Sequence, residues 1–84
     1  MPYIADHERR KELDQIVELM YGLGIQDNGE INYVLYAFAV RHVDKRYNSL
    51  KDYISELTEC ADEVRRRLLV PREEEAILEN GDVV

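Results

Sequence analysis

Two pairs of acidic residues stand at helical spacing in the second half of the chain. Glu56 and Glu59 form the first pair, and Glu79 and Asp82 form the second, each with two residues between the acids. Residues three positions apart are neighbours on one side of a helix, so each pair can present two carboxylates together. Carboxylate oxygens are ligands that Mg²⁺ prefers. Two such pairs on neighbouring helices could therefore share one Mg²⁺ ion.

This arrangement of acids resembles the signature of all-α nucleoside triphosphate pyrophosphohydrolases of the MazG type. The resemblance implies a helical enzyme in which carboxylates of two helices bind the magnesium that carries the nucleotide phosphates. It also implies the metal ligands, which would be Glu56, Glu59, Glu79 and Asp82. A Mg²⁺-dependent pyrophosphohydrolase is therefore kept as the alternative function.

The same acids also fit a simpler interpretation, in which they only face water. The first pair belongs to a longer acidic stripe made of Asp52, Glu56, Glu59 and Glu63. This stripe points away from the apolar stripe of its own helix, which runs from Leu50 to Leu68. The polar side of an amphipathic helix is normally solvated. We therefore expect no cofactor and no catalysis. Binding of Mg²⁺ is expected only under the alternative function.

The most apolar stretch of the chain, residues 27–47, is predicted to form one helix with two apolar faces. The first face contains Ile31, Val34, Leu35, Phe38 and His42. The second face follows spacings of three and four residues and contains Tyr33, Tyr36, Val40, Val43 and Tyr47. A helix that is apolar nearly all round must be covered on two sides. Because tyrosine is frequent at protein interfaces, the second face either packs within the monomer or contacts another protein, such as a second copy.

The remaining helices are predicted from caps and breakers. Asp6 is predicted to cap the first helix. Gly22 is predicted to be the left-handed residue just past the end of that helix. Ser49 caps the third helix, which ends or kinks at Pro71 because the residue before a proline disfavours helical geometry. A fourth helix then stops at Asn80. No segment alternates like a strand, so we predict an all-α fold: a small antiparallel three-helix bundle with a short fourth C-terminal helix or kinked extension.

The amino-acid composition of the chain limits the classes of partner that are expected. Residues 1–84 are predicted to form a single domain with a net charge of −7. This charge argues against nucleic acid and anionic membranes as partners, because both need positive charge on the protein. The single cysteine, Cys60, excludes an internal disulfide and is predicted to be a small buried apolar residue. No signal peptide or spanning segment is recognisable, so a cytoplasmic location is expected.

Several short words of the sequence are similar to a family of short uncharacterised proteins from bacteria, archaea and tailed phages. The words are Met1-Pro2-Tyr3-Ile4, Gly29-Glu30-Ile31-Asn32-Tyr33-Val34, Glu59-Cys60-Ala61, Arg66-Arg67 followed by Pro71, and Glu79-Asn80-Gly81-Asp82-Val83. The resemblance implies a small protein, often encoded by a phage or prophage, with no assigned activity. The leading hypothesis is a small interaction or regulatory protein that self-associates through the second face of residues 27–47.

Overall fold

The computed structural model describes residues 4–81, and every regular element in this range is helical. The elements are α1 (His7–Gly22), α2 (Glu30–His42), α3 (Tyr47–Val64), a π-helical segment (Arg65–Leu69) and α4 (Val70–Asn80). No strand occurs within residues 4–81, so the predicted all-α class is confirmed. The π-helical segment and α4 continue α3 as one long bent helix, which is the kinked extension of the prediction.

The described residues group into two units by their contacts. Residues 4–53 contain α1, α2 and the first turns of α3, and residues 54–81 contain the rest of the long helix. Each unit is described by itself below. The organisation of residues 1–84 as one domain stays a prediction.

The first turn of α1 is capped as the sequence predicts. The carboxylate Oδ1 of Asp6 accepts the backbone N–H groups of Glu8 at 3.0 Å and of Arg9 at 3.3 Å. These two N–H groups have no partner within the helix, so the cap stabilises the helix start. The predicted position of the left-handed residue after α1 is wrong by two residues. Gly22 is still helical, and the left-handed conformation falls on Gly24, whose φ is 73°.

The start of α2 lies three residues later than the position predicted from Asp27. Gly29 precedes the helix with a φ of 109°, which residues with a side chain rarely adopt, so the helix cannot extend back through it. Glu30, the first residue of α2, bonds the chain that precedes the helix. Its carboxylate Oε2 accepts the backbone N–H of Gln26 at 2.7 Å, which closes the turn before the helix.

The end of α2 at His42 corrects the prediction of one helix over residues 27–47. Val43 is extended, with φ −90° and ψ 133°. The carboxylate Oδ1 of Asp44 accepts the N–H of Arg46 at 2.8 Å, and the ammonium of Lys45 donates to the carbonyl of Val43. An aspartate that bonds the backbone two residues on forms a local turn that competes with the helix. The next helix therefore begins before Ser49, which is not its cap.

The turn at Asp44 should depend on pH. The backbone N–H of Arg46, and then its guanidinium, lower the pKa of Asp44 below its ordinary value. A carboxyl whose pKa is lower in the folded state stabilises the fold above its unfolded pKa, and this contribution is lost as the pH falls through the folded pKa. We expect Asp44→Ala to be less stable than the wild type in urea at pH 6, with the difference shrinking below about pH 3.9.

Glu18→Ala serves as a control for that experiment, because Glu18 is an exposed acid on α1, away from the turn at Asp44. Its stability relative to the wild type should not change between pH 6 and pH 3. A pH-independent difference for Asp44→Ala would contradict the proposed role of the ionised carboxylate in the turn.

Pro71 does not break the long helix, which corrects the expected departure of Val70 from helical geometry. Val70 has φ −58° and ψ −46°, and its N–H donates to the carbonyl of Arg65, five residues earlier. This wider turn lies where the proline ring would otherwise meet the carbonyl four residues before it. The chain therefore accommodates the proline by a π-helical segment and a bend rather than by a helix end.

The inner side of the unit formed by residues 4–53 is only half-buried. Its half-buried apolar side chains include Leu13, Met20, Ile31, Val34, Leu35, Leu50 and Tyr53. The Tyr53 hydroxyl donates to the carbonyl of Leu35. The rings of Tyr53 and Phe38 are stacked, with centroids 6.2 Å apart and planes 18° from parallel. These contacts fasten α3 to α2, but no side chain within residues 4–81 is fully withdrawn from water.

Candidate interaction surface

The two sides of α2 differ in exposure. On the side that Tyr53 contacts, Ile31, Val34 and Leu35 are half-buried, and Phe38 is 53% exposed. On the opposite side, Tyr33 is 66%, Tyr36 59% and Val40 54% exposed. The sequence left open whether this second side is covered within the monomer, and the other residues of its own unit, residues 4–53, do not cover it. We call Tyr33, Tyr36, Ala37 and Val40 the outer face of α2.

A depression of about 340 Å³ marks the outer face. It is lined by Tyr33, Tyr36, Ala37, Val40 and Arg41. Ala37 stands between larger side chains at helical spacing, so its small methyl group leaves the floor of the depression open. A ridge of side chains on another helix can pack into such a groove.

Val43 and Tyr47 were predicted to continue this face, and the structure separates both from it. Val43 lies in the extended link after α2 and is half-buried. Tyr47 is the first residue of α3 and is 78% exposed. The spacings of three and four residues that joined them to Val40 hold only along a continuous helix, and the turn at Asp44 interrupts it.

Two charged residues that the sequence analysis left out flank the outer face. Glu30 is in the first turn of α2 and Arg41 is in the last. Arg41 makes no hydrogen bond or ion pair with the residues that the structure describes. Eleven residues are close to three helical turns, so both side chains project from the same edge of the face. Their spacing in the sequence is the signal by which they could have been found.

The acids proposed as metal ligands lie in the unit formed by residues 54–81. Glu56 and Glu59 are exposed on α3, and Glu79 is exposed on α4. Asp82 lies outside the described residues. Among residues 4–81, no three Asp, Glu, His or Cys side chains are grouped closely enough to hold a metal ion. The proposed four-carboxylate site stays a prediction.

One acid of the same stripe is engaged by arginines. Glu63 is 17% exposed, and its Oε2 lies 2.9 Å from Nε of Arg67, four residues further along the helix. Its other oxygen pairs with Arg66. Asp62 pairs with Arg65 at 3.2 Å. These pairs join the end of α3 to the π-helical segment, so the acids at this end of the stripe are balanced by nearby positive charge.

The metal hypothesis has a direct test. A real carboxylate site is stabilised by the cation it binds, whereas solvated acids show only ionic screening. We expect millimolar Mg²⁺ to raise the melting temperature no more than a sodium salt of the same ionic strength does. Specific stabilisation by Mg²⁺ that Glu59→Gln removes and Glu18→Gln leaves intact would instead favour the alternative function.

His42 and Cys60 lie on or beside the apolar sides of α2 and α3. The ring of His42 lies 5.5 Å from that of Phe38 at an angle of 53°, as expected for an apolar-side histidine near the helix end. Cys60 is exposed, so its prediction as a buried apolar residue is wrong. It lies at the margin of the apolar stripe of α3, where helical spacing alone does not decide exposure.

The fold and this surface together define a small all-α protein with an uncovered apolar helix face. The chain belongs to the family defined by a domain of unknown function (DUF6899), whose family model matches residues 1–83. This agrees with the resemblance to an uncharacterised family. No curated protein and no solved structure matches the chain. None of the helices within residues 4–81 has the length and apolar composition needed to cross a membrane.

Proposed function

We propose that this protein is a small interaction protein that acts by binding rather than by catalysis, and that it self-associates through the outer face of α2. The observation that carries the proposal is the exposure of Tyr33, Tyr36 and Val40 on the most apolar helix of the chain. Apolar groups clustered on one face are typical of interaction sites, whereas scattered ones need no explanation.

The chemistry of these side chains supports binding to protein. A tyrosine ring gives a large apolar area, and its hydroxyl remains satisfied by water at the rim of an interface. The outer face itself carries no charge, although the chain has a net charge of −7. A charge-depleted centre with aromatic residues is the usual composition of an interface core.

The expected affinity is modest. Covering the exposed half of each of three side chains is worth roughly 1 kcal/mol per side chain, or about 6 kcal/mol for two copies. Association itself costs on the order of 4 kcal/mol or more. Other exposed apolar side chains of residues 4–53, such as Tyr21 and Leu23, can add to the contact. The three side chains alone leave a surplus of about 2 kcal/mol, which corresponds to a dissociation constant of tens of millimolar, so contacts by such further side chains are needed to bring self-association into the millimolar range.

Molar mass measured against concentration tests the proposal. Light scattering or sedimentation of the wild-type protein over about 10 to 1,000 µM, a range chosen for micromolar to millimolar dissociation constants, should show a mass that rises above that of one chain. Excess sodium chloride should not abolish association, because the burial of apolar side chains is not screened by salt. A mass of one chain at every concentration would refute self-association.

A further inference from the structure

We infer that the outer face of α2 pairs with the same face of a second copy, with the two helices antiparallel about a twofold axis near Tyr36 and Ala37. This inference rests on the proposed self-association and adds the partner surface and its orientation. A twofold contact requires a surface that is complementary to itself after reversal. Both the sizes and the charges along α2 meet that requirement.

Side-chain sizes are complementary when the helix is reversed. With Tyr36 placed opposite Ala37 of the second copy, Tyr33 lies opposite Val40 of that copy, and symmetry repeats both pairs. Each large ring then meets a smaller side chain, and the depression at Ala37 receives the Tyr36 ring of the second copy. Such alternation of large and small side chains lets two helices approach closely. A parallel pairing would place Tyr33 against Tyr33 and Ala37 against Ala37 instead.

The charges select the same orientation. Glu30 lies beside the start of the outer face and Arg41 beside its end. One edge of the face is therefore negative at one end and positive at the other. In the antiparallel register, Arg41 lies two residues, or about 3 Å of helical rise, from the position opposite Glu30 of the second copy. The long arginine side chain spans that offset, so two reciprocal ion pairs form. In a parallel pair Glu30 and Arg41 of the two copies would lie eleven residues apart along the helices, so no such ion pair would form.

These charges also explain why the occupant is a second copy. Two chains of net charge −7 repel each other on average, and attractive local charges where they meet offset part of that repulsion. Arg41 has no ion-pair partner in the part of the chain that the structure describes. Glu30 keeps its Oε1 oxygen available while Oε2 accepts the Gln26 N–H. Self-pairing supplies an acid for Arg41 and a cation for Glu30 in one symmetric step.

A charge exchange tests the orientation. Glu30→Arg and Arg41→Glu should each raise the dissociation constant of self-association about tenfold, because two attractive pairs become repulsive. The double variant Glu30→Arg/Arg41→Glu restores opposite charges and should return the constant to within about threefold of the wild type. Sedimentation measures all four proteins, and far-UV circular dichroism verifies their folding.

The controls separate pairing from folding and from net charge. Glu18→Arg on α1 makes the same change in net charge as Glu30→Arg and should not weaken self-association. Loss of the Gln26 contact in Glu30→Arg cannot be repaired at residue 41, so recovery in the double variant reports the ion pair alone. Arg41→Gln leaves that contact intact and should weaken association by about threefold. This variant takes the place of Glu30→Arg in the experiment if Glu30→Arg does not fold.

The outcomes of these experiments distinguish the antiparallel pairing from self-association itself. A monomeric wild type refutes the proposed function and this inference together. A wild type that self-associates, with unchanged affinity in both single variants, refutes the inference and leaves the proposed function standing. Weakened single variants without recovery in the double variant also overturn the antiparallel arrangement.

Discussion

Replacing Val40 by aspartate is expected to convert the self-associated protein into a folded monomer. Val40 is 54% exposed, so a carboxylate at this position remains hydrated in the single chain. In a self-associated state the same carboxylate would be removed from water without a partner, once in each copy. The dissociation constant should rise at least about a hundredfold, which corresponds to about 2.7 kcal/mol. Light scattering at about 100 µM should then give the mass of one chain.

Asn32→Asp is the matched control for this experiment. Asn32 is exposed on the same helix but outside the outer face, and the substitution adds the same charge. Its mass should follow that of the wild type. Two results would count against the proposal. An unchanged mass for Val40→Asp would exclude the outer face from the contact, and loss of the helical circular dichroism spectrum would place Val40 inside the monomer.

Replacing Tyr53 by alanine is expected to lower the free energy of unfolding by about 2 to 3 kcal/mol. The substitution removes the ring that stacks on Phe38 and the hydroxyl that donates to the Leu35 carbonyl. The loss is smaller than for a fully buried aromatic residue because Tyr53 is only half-buried. Tyr53→Phe keeps the ring and should lose about 1 kcal/mol for the hydrogen bond. Urea denaturation followed by circular dichroism measures both values.

Tyr21→Phe provides the comparison for the hydroxyl. Tyr21 is 83% exposed and its hydroxyl faces water, so its removal should leave stability unchanged within about 0.5 kcal/mol. Equal effects of Tyr53→Phe and Tyr21→Phe would mean that the bond to Leu35 does not contribute to stability. A negligible effect of Tyr53→Ala would mean that α2 and α3 are held together by other contacts.

Local chemistry explains which parts of the fold could be predicted. The cap at Asp6 and the helix stop at Asn80 depend on interactions within a few residues, and both positions are confirmed. The end of α2 could not be located from periodicity. The spacing from Val40 through Val43 to Tyr47 continues unchanged, while the hydrogen bond from the Arg46 N–H to Asp44 turns the chain. An apolar pattern does not report such a competing polar contact.

The candidate surface shows a second limit of sequence reasoning. Tyr33, Tyr36 and Val40 were grouped correctly because they lie on one continuous helix. Whether their side is covered depends on contacts between helices, which no local pattern encodes. Arg41 is charged and therefore is not part of the apolar pattern, and its place beside the outer face follows from helical geometry.

The π-helical segment Arg65–Leu69 has a consequence for how the last part of the chain tolerates change. A turn closed by bonds to the fifth residue holds more residues than an α-helical turn does. The segment therefore resets the angular phase of the helix, and the side chains of α4 do not continue the stripe of α3. The segment has the same effect on the helix as the insertion of a residue would have. Lengthening or shortening the chain at this point would rotate Ile77 and Leu78 around the helix axis.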